Sequence, residues 1–237
     1  MRQIGSNEAV DYHETHPPAE LAGLVKCRWT LTGHGNNDAW YEQQATPDGC
    51  VELIQRHMGQ SWWDGPQPSA FVVGLVNRPQ PFKCTENAAF SGLRLWPWAW
   101  ALIGSIPLAN LHGRWQPIEE IDVETIEHHL ARAPTLAAIG RGIITARTVA
   151  QMCEHTGMAP RALQRWFVTN VGVAPRHYLR LLRFQATLER LPKEIGLAHQ
   201  AADRGFADQA HMTREFRTFA GATPNKARSA ARGPFLA

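Results

Sequence analysis

Apolar and polar positions in the C-terminal part of the chain repeat one pattern twice. A short segment with helical apolar spacing ends at a glycine, first at Gly157 and again at Gly205. A second segment with the same spacing starts within about four residues, a turn length that lets two helices cross steeply. The pattern therefore predicts two helix-turn-helix units, at about 148–168 and about 197–217.

In the first unit, the second helix has one apolar face. Leu163, Trp166 and Phe167 recur at helical spacing and should pack on the preceding helix, and Pro160 suits the first helical turn because it has no N–H to leave unpaired. This geometry leaves an outward face of Arg161, Gln164 and Arg165. Arginine and glutamine can form paired hydrogen bonds with guanine and adenine edges, although a solvated polar face is the simpler alternative.

The second unit divides in the same way. Asp208 is placed to cap the helix, and Met212 and Phe216 form its apolar stripe. The residues left for a nucleic acid are Gln209, Arg214 and Arg217. We therefore expect a second outward face, divided from its buried side as in the first unit but with different chemistry.

Between the units, the pattern predicts a linker helix at about 175–191. At 1.5 Å per residue this helix would reach roughly 25 Å, enough to hold two recognition helices near successive major grooves. Gln185 is the polar exception on its apolar side, and Arg176 and Arg180 are candidates for contacts with the DNA backbone.

The first part of the chain predicts an antiparallel β-sandwich or small barrel. Strand-like runs are separated by turn sequences rich in Gly, Pro, Asn and Asp. A helical pattern follows from Glu119 to about Arg141, with a break at Pro134. The fold class expected is therefore α+β multidomain, a β-rich domain followed by an all-α domain. The strand-like runs are Leu24 to Leu31, Gly49 to His57, Ala70 to Val76 and Phe90 to Leu95.

The charge balance changes sign where helical continuity breaks. Residues 143–237 hold 14 Lys plus Arg against 6 Asp plus Glu, whereas residues 1–142 hold 10 against 15. A basic half of this kind suits binding to the phosphates of DNA, whereas an acidic half would be repelled by DNA and suits a role other than DNA binding. We therefore expect a β-rich sensor and dimerisation domain at 1–142 and a DNA-binding domain at 143–237.

Several protein classes are not indicated by the sequence. It has no apolar run of membrane-spanning length and no signal-peptide pattern at the N-terminus, so a cytoplasmic protein without membrane association is expected. The four cysteines, at 27, 50, 84 and 153, lack CxxC spacing, which favours buried thiols over a zinc site or a disulfide framework.

The helical half resembles the AraC/XylS family of bacterial transcription regulators. The resemblance is carried by Gly157-x-x-Pro-Arg-x-Leu-Gln-Arg-x-Phe167 and by Gly205-Phe-Ala-Asp-Gln-Ala-His-Met-Thr-Arg-Glu-Phe216, in the family's order and spacing. It implies a nucleoid-associated regulator that binds promoter or operator DNA, with RNA polymerase as a further partner if it activates. Ala159, where the family commonly has a capping serine, departs from the pattern.

The β-rich half resembles, less specifically, an uncharacterised cupin-like sensor domain. Eight of the nine tryptophans lie there, which suits either an apolar small-molecule pocket or a core and dimer interface. A small-molecule effector and a homodimer are therefore expected. The candidates for ligand contacts are Arg28, Glu52, His57, Arg94 and Trp96.

Two other functions are weighed against a ligand-sensing regulator. A cupin-type metalloenzyme would need converging His and carboxylate ligands, but the β-rich half has no His-x-His pair, so we expect no enzyme, metal or cofactor. The other alternative is a protein-interaction module that its helices tether to DNA.

Overall fold

The computed structural model describes residues 10–35, 38–189, 197–232 and 235–236. Strands dominate the first half, as predicted, and the four strand-like runs of the sequence correspond to β2, β4, β6 and β8. The strands are β1 (Val10–Thr15), β2 (Val25–Gly33), β3 (Trp40–Ala45), β4 (Val51–Met58), β5 (Ser61–Trp62), β6 (Ala70–Val73), β7 (Gln80–Thr85), β8 (Ala89–Leu95), β9 (Trp115–Pro117), β10 (Ala231–Arg232) and β11 (Phe235–Leu236).

The described strands form two antiparallel sheets, in the orders β1-β2-β8-β4-β6-β9 and β10-β11-β3-β7-β5. Side chains of both sheets, such as Trp29 from β2 and Tyr41 from β3, share one apolar core. Among the described strands, backbone pairing does not join the two sheets, so this β-domain is an open, sandwich-like barrel. The strand β11 pairs with β3, which brings the end of the chain back onto the β-domain.

Alternation along the strands separates two cores. On β4, Ile54 faces the core between the sheets, whereas Val51 and Leu53 face the helices on the outer side. The sequence pattern does not predict β3 and β7, because their sequences, Trp-Tyr-Glu-Gln-Gln-Ala and Gln-Pro-Phe-Lys-Cys-Thr, are polar or interrupted by proline.

Helices follow in the second half, and the expected fold class is confirmed. The predicted helical stretch before the boundary is two helices, broken before Pro134, and a 3-10 turn at Pro97–Ala99 precedes α1. The helices are α1 (Trp100–Ile103), α2 (Leu108–Leu111), α3 (Val123–Leu130), α4 (Pro134–Thr145), α5 (Val149–Thr156), α6 (Pro160–Asn170), α7 (Pro175–Leu188), α8 (Leu197–Asp203), α9 (Gln209–Ala220) and α10 (Pro224–Ala230).

One apolar core runs from the outer face of the β-domain into the helices. It includes Leu53 and Trp98 from the first half and Phe167 and Tyr178 from the second. The boundary expected after residue 142 falls inside α4, which packs against both halves. The two parts are thus joined by a continuous core rather than by a bare linker.

Among the described residues, no helix has both the length and the apolar composition that a membrane span needs.

Candidate nucleic-acid interface

The first helix-turn-helix unit consists of α5 and α6. The side chain of Thr148 caps α5 by accepting from the backbone N–H of Gln151 at 3.1 Å, and α5 ends at Gly157, whose φ of 68° favours glycine. The helix α6 begins at Pro160 as predicted, but Ala159 supplies no side-chain cap.

The recognition face of α6 is the one that the apolar spacing left open. Leu163 and Phe167 are fully buried, and Trp166 is half-buried. The exposed residues of the opposite face are Arg161, Gln164, Arg165 and Val168. This helix therefore presents two guanidinium groups and one amide to solvent.

The second unit consists of α8 and α9. Asp208 caps α9 by accepting from the backbone N–H of His211 at 2.6 Å, and Met212 and Phe216 are fully buried. The ring of His211 accepts from the backbone N–H of Ala207 at 3.1 Å, so it belongs to the cap. The exposed face carries Gln209, Arg214 and Arg217, which line a shallow groove with Ala210 and Thr213.

A basic cleft of about 680 Å³ lies between the two units along α7. Four arginines line it, of which Arg176 is exposed and Arg183 lies 5.7 Å from the ring centroid of Phe206. Arg176 and Arg180 were predicted from the sequence as contacts with the DNA backbone, whereas Arg147 and Arg183 were not. Their alignment depends on how α5 packs against α7, which no local pattern in the sequence encodes.

Arg180 differs from the other arginines of the cleft. Its Nε and a terminal nitrogen donate to the two carboxylate oxygens of Glu215 at 2.9 and 2.8 Å, and Glu215 is buried. These hydrogen bonds raise the pKa of Arg180. The pair ties α7 to α9, so much of the charge of this guanidinium is already compensated within the protein.

A small cavity of about 70 Å³ lies between the two sheets of the β-domain. Its walls are mostly apolar, but three buried polar atoms on residues that line it have no hydrogen-bond partner among the residues that the structure describes: Trp29 Nε1, Gln43 Oε1 and Ser61 Oγ. Of the five predicted ligand residues, only Glu52 lines this cavity. A buried polar atom without a partner costs free energy, which makes these three atoms candidates for contacts with a bound molecule.

Arg94 is buried next to the cavity in a cluster with three carboxylates. It pairs with Glu52, with Asp48 at 2.9 Å and with Glu14 at 2.9 Å. Burial opposes its charge, but the Glu52 and Asp48 carboxylates raise the pKa of Arg94 well above its ordinary value. Burial raises the pKa of Glu52. Arg94 is thus an internal counter-ion, and its pairing with these three carboxylates was not predicted from the sequence.

The other predicted ligand residues lie elsewhere. Arg28 forms a two-point ion pair with Glu127 of α3, and His57 shares a hydrogen bond of 2.8 Å with Ser91. Arg28 and His57 line a separate notch of about 340 Å³ on the outer face of the β-domain. Trp96 stacks on Trp98 in the interdomain core. The structure therefore does not bring the five residues together.

Among the described residues, no three His, Cys, Asp or Glu side chains are grouped so that they could hold a metal ion.

Two family models match the chain. The family described as a helix-turn-helix domain matches residues 152–230, and the family described as Domain of unknown function (DUF6597) matches residues 13–116. The first match covers α6, α7 and α9, which carry the exposed arginines. A helix-turn-helix family points away from an enzyme.

Solved structures and curated proteins also resemble the chain. A transcriptional regulator with an AraC-type DNA-binding domain from Chromobacterium violaceum is 19% identical over 44% of this chain and 96% of that chain, with a TM-score of 0.38. ToxT from Vibrio cholerae is 11% identical over 94% of this chain and 99% of that chain, with a TM-score of 0.43. F-box/SPRY domain-containing protein 1 from Xenopus laevis is 29% identical over 79 residues, and the chain spans 28% of that protein.

The matched segment coincides with the two helix-turn-helix units and the helix that joins them. The chain therefore carries a helix-turn-helix domain, as its sequence predicts, and this domain follows a segment that matches a domain of unknown function (DUF6597).

Proposed function

We propose that this protein is a sequence-specific DNA-binding transcription regulator whose β-domain senses a small molecule. The observation that carries the proposal is the pair of exposed recognition faces, on α6 and α9, on either side of the basic cleft. An arginine fork can bond to the O6 and N7 of guanine, and a glutamine amide to the N6 and N7 of adenine. The base-reading residues proposed are Arg161, Gln164, Arg165, Gln209 and Arg214.

Contacts with the DNA backbone are assigned to the arginines around the cleft. Arg176 and Arg217 are exposed and have no ion pair among the described residues, so each is available to a phosphate. Arg180 is already bound to Glu215, so we rank it below Arg176 as a phosphate contact. Phosphate contacts of this kind make binding salt-dependent but carry no sequence information.

The cavity between the sheets is the proposed effector site. Its apolar walls and its unpartnered donor and acceptor atoms suit a small, mostly apolar molecule with one or two polar groups. A regulator of this kind acts on promoter or operator DNA in the nucleoid, contacts RNA polymerase if it activates, and can bind as a homodimer.

The test of base reading compares specific with random DNA. Genomic binding-site mapping with the full chain supplies the specific site, and Arg165→Ala should weaken binding to it by about 1 to 3 kcal/mol while random DNA is affected less. Arg176→Ala should weaken both and reduce the salt slope by about one. Arg132→Ala, which removes an exposed arginine after α3, is the matched control and should change neither. Equal losses on both DNAs for Arg165→Ala would contradict base reading.

A second candidate function is a protein-interaction module tethered to DNA. It is favoured by an exposed aromatic patch in which Lys83 Nζ lies 5.2 Å from the ring centroid of Trp40 and 5.4 Å from that of Trp62. A small-molecule thermal-shift screen of the full chain separates the two. Hits that Ser61→Ala weakens support the effector site, whereas the absence of hits together with a partner lost on Trp62→Ala supports the module.

A further inference from the structure

The loop of residues 46–50 lies between the cavity wall and the linker helix α7. Tyr178 Oη donates to the carbonyl oxygen of Gly49 at 2.9 Å, and the Gln185 amide donates to the carbonyl oxygen of Pro47. A Cβ atom at Gly49 would lie 2.9 Å from Leu181 Cδ2, so the loop and the helix are in tight contact. Gln185, the polar exception in the helix pattern, is thus a docking contact.

Asp48 lies between those two carbonyl groups and points the other way, into the β-domain. Its Oδ1 accepts from the backbone N–H of Cys50 at 2.9 Å, and its Oδ2 lies 2.9 Å from Arg94 Nε. The ion pair with Arg94 therefore holds the segment whose carbonyl oxygens bind α7.

The Nε–H of Arg94 is donated to Glu52 Oε1, whereas Asp48 Oδ2 lies 2.9 Å from the same nitrogen as an ion-pair partner. One hydrogen cannot be well aligned with two acceptors, so Asp48 and Glu52 compete for it. Glu52 lines the cavity, whereas Asp48 belongs to the loop that contacts α7. The third carboxylate, Glu14, accepts a hydrogen bond from a different nitrogen of Arg94, a terminal one. It therefore does not compete for Nε–H.

We propose that Arg94 links the cavity to the linker helix as a shared donor: a molecule that engages the Glu52 carboxylate releases Nε–H to Asp48 and tightens the docking of α7. The proposal deepens the effector role assigned to the β-domain and rests on it. It makes Arg94 and Asp48 positioning residues that need not touch the bound molecule.

The linker helix is the right place for such control, because both recognition helices pack on it. The ring centroid of Phe167 on α6 lies 5.6 Å from that of Tyr178 on α7. Glu215 of α9 accepts hydrogen bonds from Arg180 of α7. A change in how α7 sits on the loop therefore alters how the two recognition faces are held relative to each other and to the β-domain.

The test is amide hydrogen exchange of the full chain without DNA or ligand. Glu52→Gln replaces a charged acceptor with a neutral, weaker one and mimics an engaged Glu52, so exchange in 175–188 should slow about three- to tenfold. Asp48→Asn weakens the contact between Arg94 and the loop, so exchange in 175–188 should become faster by a similar factor. Rates in β7 serve as the reference for overall stability of the β-domain.

Glu14→Gln is the matched control, since it makes the same chemical change on the same guanidinium group. It should leave exchange in 175–188 within about twofold of the unmodified protein. Shifts of the same sign for Glu52→Gln and Asp48→Asn, no shift in either, or equal shifts for Glu14→Gln and Glu52→Gln would overturn the proposal. If Asp48→Asn does not fold, Glu52→Gln against Glu14→Gln decides the question alone.

The exchange experiment does not depend on DNA binding, so its outcome is separate from that of the proposed function. Loss of specific DNA binding in Arg165→Ala with unchanged exchange in 175–188 would support the proposed DNA-binding function. The coupling of the cavity to α7 through Arg94 is decided by the Glu52 and Asp48 variants alone.

Discussion

The indole ring centroids of Trp98 and Trp166 lie 5.9 Å apart, with an angle of 45° between the ring planes. Trp98 belongs to the β-domain and is fully buried, whereas Trp166 is on the recognition helix α6. The inner face of α6 therefore rests directly on the β-domain, while its outer face is exposed.

Replacing Tyr178 with Phe tests the attachment of α7 to the β-domain. Tyr178→Phe leaves the buried carbonyl group of Gly49 without its donor, so the free energy of unfolding should fall by about 1 to 2 kcal/mol, as measured by denaturant titration. Tyr41→Phe is the control, because the buried Tyr41 hydroxyl has no oxygen or nitrogen partner among the described residues. That variant should be neutral or slightly stabilising, and equal losses in both would argue against a specific role for the Tyr178 bond.

The caps of the two recognition helices are unequal. Asp208 caps α9, whereas Ala159 cannot cap α6. Asp208→Ala should lower the free energy of unfolding by about 1 kcal/mol, and Ala159→Ser, at an extended N-cap backbone, should raise it by up to about 1 kcal/mol. Thermal unfolding followed by circular dichroism measures both. A destabilising Ala159→Ser would show that the start of α6 cannot use a side-chain cap.

This inequality leads to a prediction for DNA binding. The better-capped α9 should anchor the protein and α6 should be the more adjustable reader, so removing the α9 side chains should cost more affinity. Arg214→Ala and Arg165→Ala can be compared in the same titration on the specific site. Equal losses would contradict the assignment of unequal roles.

Protonation of His177 should weaken the fold at mildly acid pH. Burial lowers the pKa of His177, with a further contribution from Arg180, and its Nε2 lies 3.3 Å from Asn77 Oδ1 of the β-domain. Because the folded protein prefers the neutral ring, this contribution to stability is fully present above the unfolded pKa of about 6.5 and is lost as the pH falls from there through the lower pKa of the folded state. Denaturant midpoints measured from pH 8 to pH 5 should fall, and His177→Gln should flatten that part of the profile. An unchanged slope in this variant would assign the loss to other groups.

The cysteines should differ sharply in reactivity. Burial raises the pKa of Cys27 and of Cys84 to about 12, and it raises that of Cys50 well above its usual value. Cys153 is only half-buried. At pH 8 a thiol-specific reagent should therefore label Cys153 first and the other three only in denaturant. Rapid labelling that survives Cys153→Ala would show that the β-domain opens.

The sequence predicted the helical half well because its information is local. The spacing of Leu163 and Phe167 identifies the buried side of α6, and the glycine at 157 marks the end of α5. The strands β3 and β7 were missed because each is recognisable only beside its partner. The cluster around Arg94 was missed because its carboxylates lie on β1, on β4 and in the loop before β4.

Gln185 illustrates the same difference. The helical pattern marked it as polar on an apolar face, and only the docked loop supplied the reason, since its amide binds the carbonyl group of Pro47. By itself the sequence determined two helix-turn-helix units, their outward arginines and a change of charge between the halves, because periodicity and capping act within a few residues. The tertiary structure decided which buried polar groups meet, because hydrogen bonds and ion pairs join atoms by distance in space and not by position in the chain.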